Sequence, residues 1–369
     1  MSEFSQLIPS VTKMQNSSQP IHQENASSTK FNLANSQREW LWLIPFAAAL
    51  YYPWALQWAN TTIASIGQIT PYAFIQILTA YTVPIIGFAV LHHLGKQETL
   101  TDRLVLARRL SYLVVAAPPA FTLVGVLLFL MKINGHDNAV WTGIWLVLTI
   151  LSTMMIHTMP RRPIVLNDPA MYRRLRVLHG VFAVFILLVF LAPHLFNHSL
   201  GLFGNNVHLA IMDVLRKVYR HPAVEPILIA AFFIQILSGI VLVKPKSERS
   251  GDILDSLQAA SGVYLAFFIA SHINSVFILA RYFGTETDYA WATGEPVGLL
   301  MDPWNIRLLP HYSLAVFLLL AHLACGLRIV LRNHNMTYAR SNAITWSIIT
   351  IGFVVTLIIT AGMLGFRLI

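Results

Sequence analysis

Charged residues and cysteine are both scarce in this chain, and each shortage excludes a class of protein. Only 11% of the 369 residues are charged, whereas 56% are hydrophobic, and the mean hydropathy is +0.61. Such a balance excludes an ordinary soluble domain and indicates an integral membrane protein whose partner is the lipid bilayer. The apolar runs are long and uninterrupted rather than short and alternating, which favours helices over a barrel. The single cysteine, Cys325, excludes an internal disulfide and any two-cysteine metal site.

Several catalytic motifs are also missing. The sequence has no aspartate-rich metal motif, no serine nucleophile elbow and no HExxH zinc site. These absences weigh against a membrane enzyme that acts on a lipid or isoprenoid substrate. The net charge of +9 does not indicate nucleic-acid binding, because the basic residues lie in short clusters between apolar runs, where membrane topology accounts for them. We therefore expect no nucleic-acid partner.

The apolar runs divide the chain into a tail and two membrane regions. Residues 1–38 are rich in Ser, Asn and Gln, which predicts a disordered cytosolic tail. A proline-bearing linker, residues 160–174, separates an N-terminal four-helix membrane region, residues 39–165, from a five-helix region, residues 166–369. The predicted fold is an all-α polytopic membrane bundle of about nine transmembrane helices. The predicted spans are Trp40–Ala59, Pro71–His92, Leu104–Met131, Ala139–His157, Leu175–Phe196, Pro222–Val243, Gln258–Phe283, Leu308–Leu331 and Ala343–Phe366.

Lysine and arginine are concentrated in alternate loops, which sets the predicted orientation. One set of loops holds clusters such as Arg108–Arg109 and Arg173–Arg174, whereas the opposite set is poorer in basic residues, with an exception at Arg216–Arg220. The positive-inside bias therefore predicts a cytoplasmic N-terminus. With nine spans, the C-terminus would lie outside.

Fourteen histidines are unusual in so apolar a chain. His272 lies deep in a predicted span, where an ionisable side chain is costly unless it faces a cofactor or is satisfied as a neutral group by a neighbouring helix. At a rise of about 1.5 Å per residue, His194 lies roughly 28 Å and His272 roughly 21 Å from the cytosolic ends of their spans. Both fall in the outer half, whereas His322 and Gln235 share a depth in the inner half. Two imidazoles at similar depth on different helices are what bis-histidine haem ligation requires, so His194 and His272 are the predicted iron ligands.

Five segments resemble, in their order along the chain, a known membrane family. They are RRLRVLHGVFAVFILLVFLAPHLFNH, VHLAIMDVLRKVYRHPAVE, FFIQILSG, SGVYLAFFIASH and FLLLAHLACGLR. Together they look like the five-helix cytochrome b membrane anchor of bacterial succinate dehydrogenases and fumarate reductases, over residues 171–331 with a fifth helix to 366. The resemblance implies two b haems stacked across the bacterial inner (cytoplasmic) membrane. It also implies that these haems connect a quinone site to a soluble redox partner subunit.

The resemblance implies ligand roles for individual residues. His194 and His272 match the ligands of the outer haem, and His322 matches one ligand of the inner haem. The fourth ligand would fall at Gln235, but glutamine is not an ordinary haem ligand. We therefore expect one haem b per chain, with His322 kept as a hydrogen-bonding partner of Gln235 or of a water molecule.

Three further residues have an implied role. Glu225 resembles an acidic residue near the quinol site, where it would accept a proton from quinol; alternatively, it pairs with His221 or Arg220 at the membrane interface. His179 lies among arginines and suits a contact with a haem propionate. His208 matches a residue that structures the following loop or faces the propionate side.

These observations predict a haem b-binding integral membrane protein for transmembrane electron transfer or redox sensing, with quinone as the small-molecule partner. The N-terminal four-helix region departs from the family, so a complete respiratory complex is not implied. At most the chain would be the electron-transfer membrane subunit of an oxidoreductase. The alternative is a haem-free membrane transporter, or an assembly or anchoring scaffold, on the same fold.

Overall fold

The computed structural model describes residues 37–166 and 169–368. Regular secondary structure in these residues is helical, apart from one isolated bridge between Thr101 and Pro163. The all-α prediction is therefore confirmed. Glu39–Ile369 form one compact unit, so both predicted membrane regions lie within it. The predicted tail falls almost entirely outside the described residues.

Five helices make up the N-terminal region. They are α1 (Leu43–Ile66), α2 (Pro71–Gly95), α3 (Asp102–Val115), α4 (Ala117–Leu130) and α5 (Asp137–Thr158). The predicted span Leu104–Met131 is two helices, because α3 and α4 meet at a bend of 64°. Pro118 and Pro119 open α4 and lack the backbone N–H groups that would continue the hydrogen bonds of α3.

The C-terminal region begins with a long continuous helix and ends with a helix hairpin. Its helices are α6 (Ala170–Ile186), α7 (Ala192–Ser199), α8 (Asn205–Tyr219), α9 (Glu225–Ser247), α10 (Ile253–Asn274), α11 (Tyr289–Thr293), α12 (Leu308–Asn333) and α13 (Tyr338–Met363). A π-helical turn, Leu187–Leu191, joins α6 to α7, and a second one, Ser275–Tyr282, extends α10.

Seven described helices are long and apolar enough to cross a membrane, and the bent pair α3–α4 would make eight. The expected number of about nine is higher because it includes the predicted span Trp40–Ala59, which corresponds to α1 in the structure. That helix contains Gln57, Asn60 and Pro53, and it is less apolar than the others. The architecture is thus a membrane-compatible helical bundle. Its described residues contain seven or eight candidate spans, against the nine that the sequence predicts.

Arg108, from the N-terminal region, caps the C-terminal end of α9. Arg108 is buried, and its Nη1 donates to the backbone oxygens of Ser247 and Arg249, at 3.0 and 2.6 Å. The last carbonyls of a helix have no partner within the helix, so this guanidinium acts as a cap. The N-terminal region therefore fixes the position at which α9 ends.

Asp252 fixes three other helices at the same end of the bundle. It is the N-cap of α10, and it accepts hydrogen bonds from Arg328 of α12 and Tyr338 of α13. Burial alone would raise the pKa of Asp252, but the hydrogen bonds from Tyr338 and Arg328 lower it overall. An ionised Asp252 thus sets the register of α10 against α12, the two helices that carry His272 and His322.

Candidate cofactor site

A large apolar cavity lies between the helices of the C-terminal region. Its volume is about 2000 Å³, above the roughly 300–1,000 Å³ of an ordinary small-molecule pocket. Leucine, isoleucine, valine and phenylalanine provide most of its wall. All the site residues predicted from the sequence line it, namely His179, His194, His208, Glu225, Gln235, His272 and His322.

One helical run carries two of these histidines, His179 on α6 and His194 on α7. The π-helical turn Leu187–Leu191 lies between them. A π-turn holds about one residue more than an α-turn, so it rotates everything that follows it about the helix axis. Both imidazoles line the cavity as a result, although they are separated by four turns of helix.

The outer pair consists of His194 on α7 and His272 on α10. Their ring centroids are 6.3 Å apart, and the ring planes make an angle of 66°. Each ring is backed by the phenylalanine four residues before it, Phe190 at 4.8 Å and Phe268 at 5.2 Å. The two residues that the sequence predicts as iron ligands therefore lie together, held by stacked phenylalanines.

The buried Nδ1 of His272 has no hydrogen-bond partner among the described residues. A buried polar atom without a partner is costly in a membrane bundle, where water cannot reach it. Such an atom in a cavity wall indicates a site at which a bound group supplies what the protein does not.

The inner pair consists of His179 on α6 and His322 on α12. Their ring centroids are 6.2 Å apart, at an angle of 73°. The expected partnership between Gln235 and His322 is wrong, because Gln235 Nε2 instead lies 2.9 Å from His179 Nε2. Equal depth in the bundle does not bring two residues together when their helices present them in different directions.

The same five-residue pattern, Q-x-x-S-G, lies beside each imidazole of the inner pair. It reads QILSG at residues 235–239 of α9, next to His179, and QAASG at residues 258–262 of α10, next to His322. The repeat is visible in the sequence. Its meaning depends on which histidines pack against it, and only the fold shows that.

In α9 the pattern surrounds His179. The Ser238 hydroxyl lies 2.8 Å from His179 Nδ1 and also bonds to the backbone oxygen of Ile234. A Cβ atom on Gly239 would lie 3.3 Å from His179 Cε1, so a larger residue there would press on the ring. Ser238 thus fixes this imidazole by a hydrogen bond, and Gly239 leaves the space that the ring occupies.

In α10 the pattern surrounds His322 in the same way. His322 Nδ1 lies 3.0 Å from the backbone oxygen of Gln258 and 3.1 Å from the Ser261 hydroxyl. That hydroxyl bonds to the backbone oxygen of Leu257 at 2.6 Å. A Cβ atom on Gly262 would lie 3.2 Å from His322 Cε1.

A third group of imidazoles adjoins the outer pair. His198 contacts the ring of His194, with centroids 4.5 Å apart, and its Nδ1 lies 3.3 Å from Nε2 of His208. The Asn197 side chain donates to the same nitrogen, and Tyr289 packs against the His208 ring at 4.3 Å. Burial, and then the charge of Arg216, lower the pKa of His208 to about 4. His208 is therefore neutral at physiological pH.

Two of these histidines were not expected from the sequence. His198 follows His194 by four residues, and this spacing places both on one helix face. His311 is buried at the start of α12 and lies 4.7 Å from the ring of Phe268, which also stacks on His272. The spacing could have indicated His198, whereas His311 depends on the packing of α10 against α12.

Glu225 lies at the rim of the cavity near the outer pair. Its carboxylate pairs with Arg281, on the π-helical extension of α10. Of the two expectations for Glu225, an ion pair is present, but its partner is Arg281 rather than His221 or Arg220. The guanidinium also lies 4.7 Å above the ring of Phe277.

Basic residues line the opposite end of the cavity, near the inner pair. They are Arg173, Arg176, Lys246 and Arg249. Within residues 37–166 and 169–368, no group of three or more His, Cys, Asp or Glu side chains is arranged to hold a metal ion. A bis-imidazole cofactor needs only two protein ligands.

Comparison with protein-family models, with characterised proteins and with solved structures finds no match to this chain. The resemblance to cytochrome b anchors therefore stays a prediction from the sequence.

Proposed function

We propose that this protein is a haem b-binding membrane protein for electron transfer or redox sensing, and that His194 and His272 would hold the haem iron through their imidazole nitrogens. The observation that carries the proposal is the separation of the two rings. Two imidazoles on opposite sides of one metal ion, each bonded through nitrogen at about 2 Å, have ring centroids roughly 6.4 Å apart. The outer pair has 6.3 Å.

The surroundings fit the same cofactor. The cavity is mostly apolar and large enough for a macrocycle, and it extends beside both histidines. Haem b supplies one-electron oxidation and reduction of iron. Phe190 and Phe268 orient the two imidazoles and exclude water from them. A low dielectric and two neutral nitrogen ligands are means by which a protein sets the potential of such a group.

We propose quinone as the small-molecule partner at the Glu225 rim. The Glu225 carboxylate lines the cavity and pairs with Arg281, and the oxidation of a quinol needs a base of this kind to accept its proton. A soluble redox partner subunit would complete the electron path. The basic residues at the other end of the cavity support an acidic partner surface there.

We propose the bacterial inner membrane as the location, with the N-terminus in the cytoplasm. The lysine and arginine distribution supports this orientation. Reporter fusions at Gln97 and Arg249 should then report a cytoplasmic position, and a fusion at Thr287 should report an external one. A cytoplasmic signal at Thr287 would invert the orientation.

A reduced-minus-oxidised absorbance spectrum of the purified protein tests the haem proposal. We expect the bands of a low-spin b haem. His194→Ala and His272→Ala should each remove the low-spin component of the outer site, because one axial ligand is lost. A colourless protein would instead favour the haem-free transporter or scaffold, and normal spectra in both variants would rule out this ligand pair.

A further inference from the structure

We infer that a phospholipid with a negatively charged headgroup binds at the outer rim of the cavity, with its phosphate beside Arg220 and its acyl chains on the apolar face of α8. The outer rim consists of Arg216, Arg220, Glu225 and Arg281, which all line the cavity. The inference goes beyond the proposed function, because it concerns a ligand other than haem or quinone and requires neither of them.

The basic residues of this rim depart from the charge pattern of the rest of the chain. Lysine and arginine are concentrated in the loops of the opposite side, and Arg216–Arg220 is the exception. The positive-inside bias explains the other clusters but gives this one no topological role. A group of cations on this side of the bundle is therefore a candidate for binding an anion.

The helix α8 lies beside this rim and has the character of an interfacial helix. It has 15 residues, and it is not among the helices that are long and apolar enough to cross a membrane. Val207, Val214 and Val218 are spaced so that they lie on one side of it, and they are 39%, 58% and 49% exposed. An amphipathic helix with such a face lies in the membrane interface and contacts acyl chains.

The opposite side of α8 is fixed to the cavity wall. Its residues His208, Leu215 and Tyr219 line the cavity. The Tyr219 hydroxyl donates to the backbone oxygen of Phe190 at 3.3 Å, and the two rings pack with their centroids 4.8 Å apart. Because α8 ends at Tyr219, this contact holds Arg220 at the boundary between the cavity and the exposed apolar face.

Two of the three guanidinium groups at the outer rim have partners, and the third has none. Arg281 pairs with Glu225, and Arg216 Nη2 donates to the backbone oxygen of Thr287 at 3.0 Å. Arg220 forms no hydrogen bond and no ion pair within residues 37–166 and 169–368. Its side chain is therefore available to a ligand.

The neighbouring charges make the position beside Arg220 favourable for an anion. Partial burial, and then the charges of Arg216 and Arg281, lower the pKa of Arg220, whereas Glu225 opposes this effect. The other carboxylate near these groups, Asp288, is the N-cap of α11 and accepts from a backbone N–H there. An anion beside Arg220 would relieve a repulsion that the carboxylates of the chain leave in place.

The chemistry of the surface points to the phosphate of a lipid. A guanidinium group can donate two parallel hydrogen bonds to two oxygens of one phosphate. The apolar face of α8 begins two residues before Arg220, at Val218, and it gives acyl chains a surface that a free phosphate ion would not use. A zwitterionic headgroup brings its own cation to this basic rim, so we expect a preference for a lipid with net negative charge.

The test is native mass spectrometry of the full-length protein, freed of bound lipid and titrated with phosphatidylglycerol or with phosphatidylcholine. We expect the wild type to bind phosphatidylglycerol at least about tenfold more tightly than phosphatidylcholine. Arg220→Gln should bind phosphatidylglycerol roughly tenfold more weakly than the wild type, because a charge-assisted pair is lost. Lys132→Gln is the matched control and should bind as the wild type does, since Lys132 is exposed on the same predicted side but does not line the cavity.

Two further arms separate the lipid from a free anion. Val218→Asn leaves the charges unchanged and should weaken phosphatidylglycerol binding several-fold, because it removes apolar contact with the acyl chains. Inorganic phosphate, equimolar with the lipid, should leave the lipid bound. Displacement of the lipid by phosphate, with unchanged binding in Val218→Asn, would assign the rim to a free anion and overturn the lipid site.

Other outcomes would also overturn the inference. Equal affinity of the wild type and Arg220→Gln for phosphatidylglycerol would remove Arg220 from the site, and equal affinity for the two lipids would remove the need for negative charge. If Arg220→Gln does not fold, Arg220→Lys replaces it, since lysine keeps the charge but not the two parallel hydrogen bonds. Weaker binding in that variant supports the site, and unchanged binding contradicts it.

Discussion

The N-terminal region is filled with aromatic side chains, whereas the C-terminal region encloses a cavity. Trp42, Phe46, Trp141 and Trp145 are buried, and their rings meet edge to face or tilted, with centroids 4.7–5.4 Å apart where they touch along this row. In the C-terminal region, His179, His194, His272 and His322 line a cavity of about 2000 Å³. Both regions contain long apolar helices, so the presence of such helices alone does not distinguish a filled core from a binding site.

Buried polar side chains without a partner among the described residues occur in both regions, among them Trp42 and Tyr52 in the N-terminal one, so the difference concerns the charged groups and the imidazoles. Buried charge in the N-terminal region is paired, as in Glu39 with Arg161 at 2.9 Å. In the C-terminal region, His272 and His208 line the cavity, and the buried Nδ1 of each has no partner among the described residues. Satisfied buried polar groups indicate a structural role, and unsatisfied groups that face a cavity indicate a site for a ligand.

The largest expected effect comes from breaking the buried ion pair where the two regions meet. Arg307 Nη2 donates to Asp137 at 2.6 Å, and the Arg307 side chain is only 6% exposed. Asp137→Ala would leave a buried cation unpaired and should destabilise the fold by about 3 kcal/mol. The midpoint of thermal unfolding in detergent measures it.

The control for that change is an ion pair at the surface. Arg109 and Glu248 lie 2.7 Å apart, but the Arg109 side chain is 39% exposed. Glu248→Ala should therefore cost less than about 1 kcal/mol. If both variants lost the same unfolding free energy, the buried ion pair between the regions would contribute no more to stability than the surface pair.

A smaller effect is expected from the pH dependence of His208. Its pKa is lowered to about 4 by burial and by Arg216, whereas an unfolded histidine titrates near 6.5. Between these values the unfolded chain binds a proton that the folded chain does not, so stability falls as the pH is lowered. From pH 7 to pH 5 the loss should be about 2 kcal/mol.

Thermal unfolding at pH 7 and pH 5, in wild type and His208→Gln, checks this dependence. The glutamine oxygen can still accept from Asn197, but it does not titrate. The variant should lose less stability on acidification than the wild type. An identical loss in both proteins would assign the acid sensitivity to other histidines.

The sequence predicts the positions of the helical spans well, but it does not predict how consecutive helices are oriented. Spans such as Pro71–His92 and Ala139–His157 lie within Pro71–Gly95 and Asp137–Thr158 of the structure, because long apolar runs have few alternatives to a helix. Leu104–Met131 is predicted as one span with a kink or helix end at Pro118 and Pro119, and the structure has two helices that meet there. A proline pair indicates a break but does not show whether the chain continues straight or turns by 64°.

The same limit applies to the site. Depth along each helix predicts that His194 and His272 lie close together, and their ring centroids are 6.3 Å apart in the structure. It fails for His322, because depth does not specify which face of a helix a residue occupies. The π-helical turn Leu187–Leu191 sets the faces of His179 and His194, and no simple sequence periodicity reveals such a turn.

The smallest effect on stability is expected at the cavity rim. Glu225 and Arg281 are partly exposed, so Glu225→Gln should change the unfolding free energy by less than about 1 kcal/mol.

The same variant tests the proposed role of Glu225 in quinol oxidation. If quinol is the electron donor, Glu225→Gln should slow haem reduction by a quinol analogue several-fold, because the proton acceptor is lost. Reduction by dithionite should be unchanged. Arg281→Gln is the control for the ion pair. Equal quinol rates in wild type and Glu225→Gln would give the carboxylate a purely structural role.

The central claim is that imidazoles from two different helices share one iron atom. Near-infrared magnetic circular dichroism of the oxidised protein tests it directly, because the charge-transfer band of low-spin haem reports the chemical identity of both axial ligands. We predict the band of bis-imidazole ligation in the wild type, and its loss in His194→Ala, where one of the two imidazoles is absent. A band typical of any other ligand pair, or no low-spin band at all, would contradict the account.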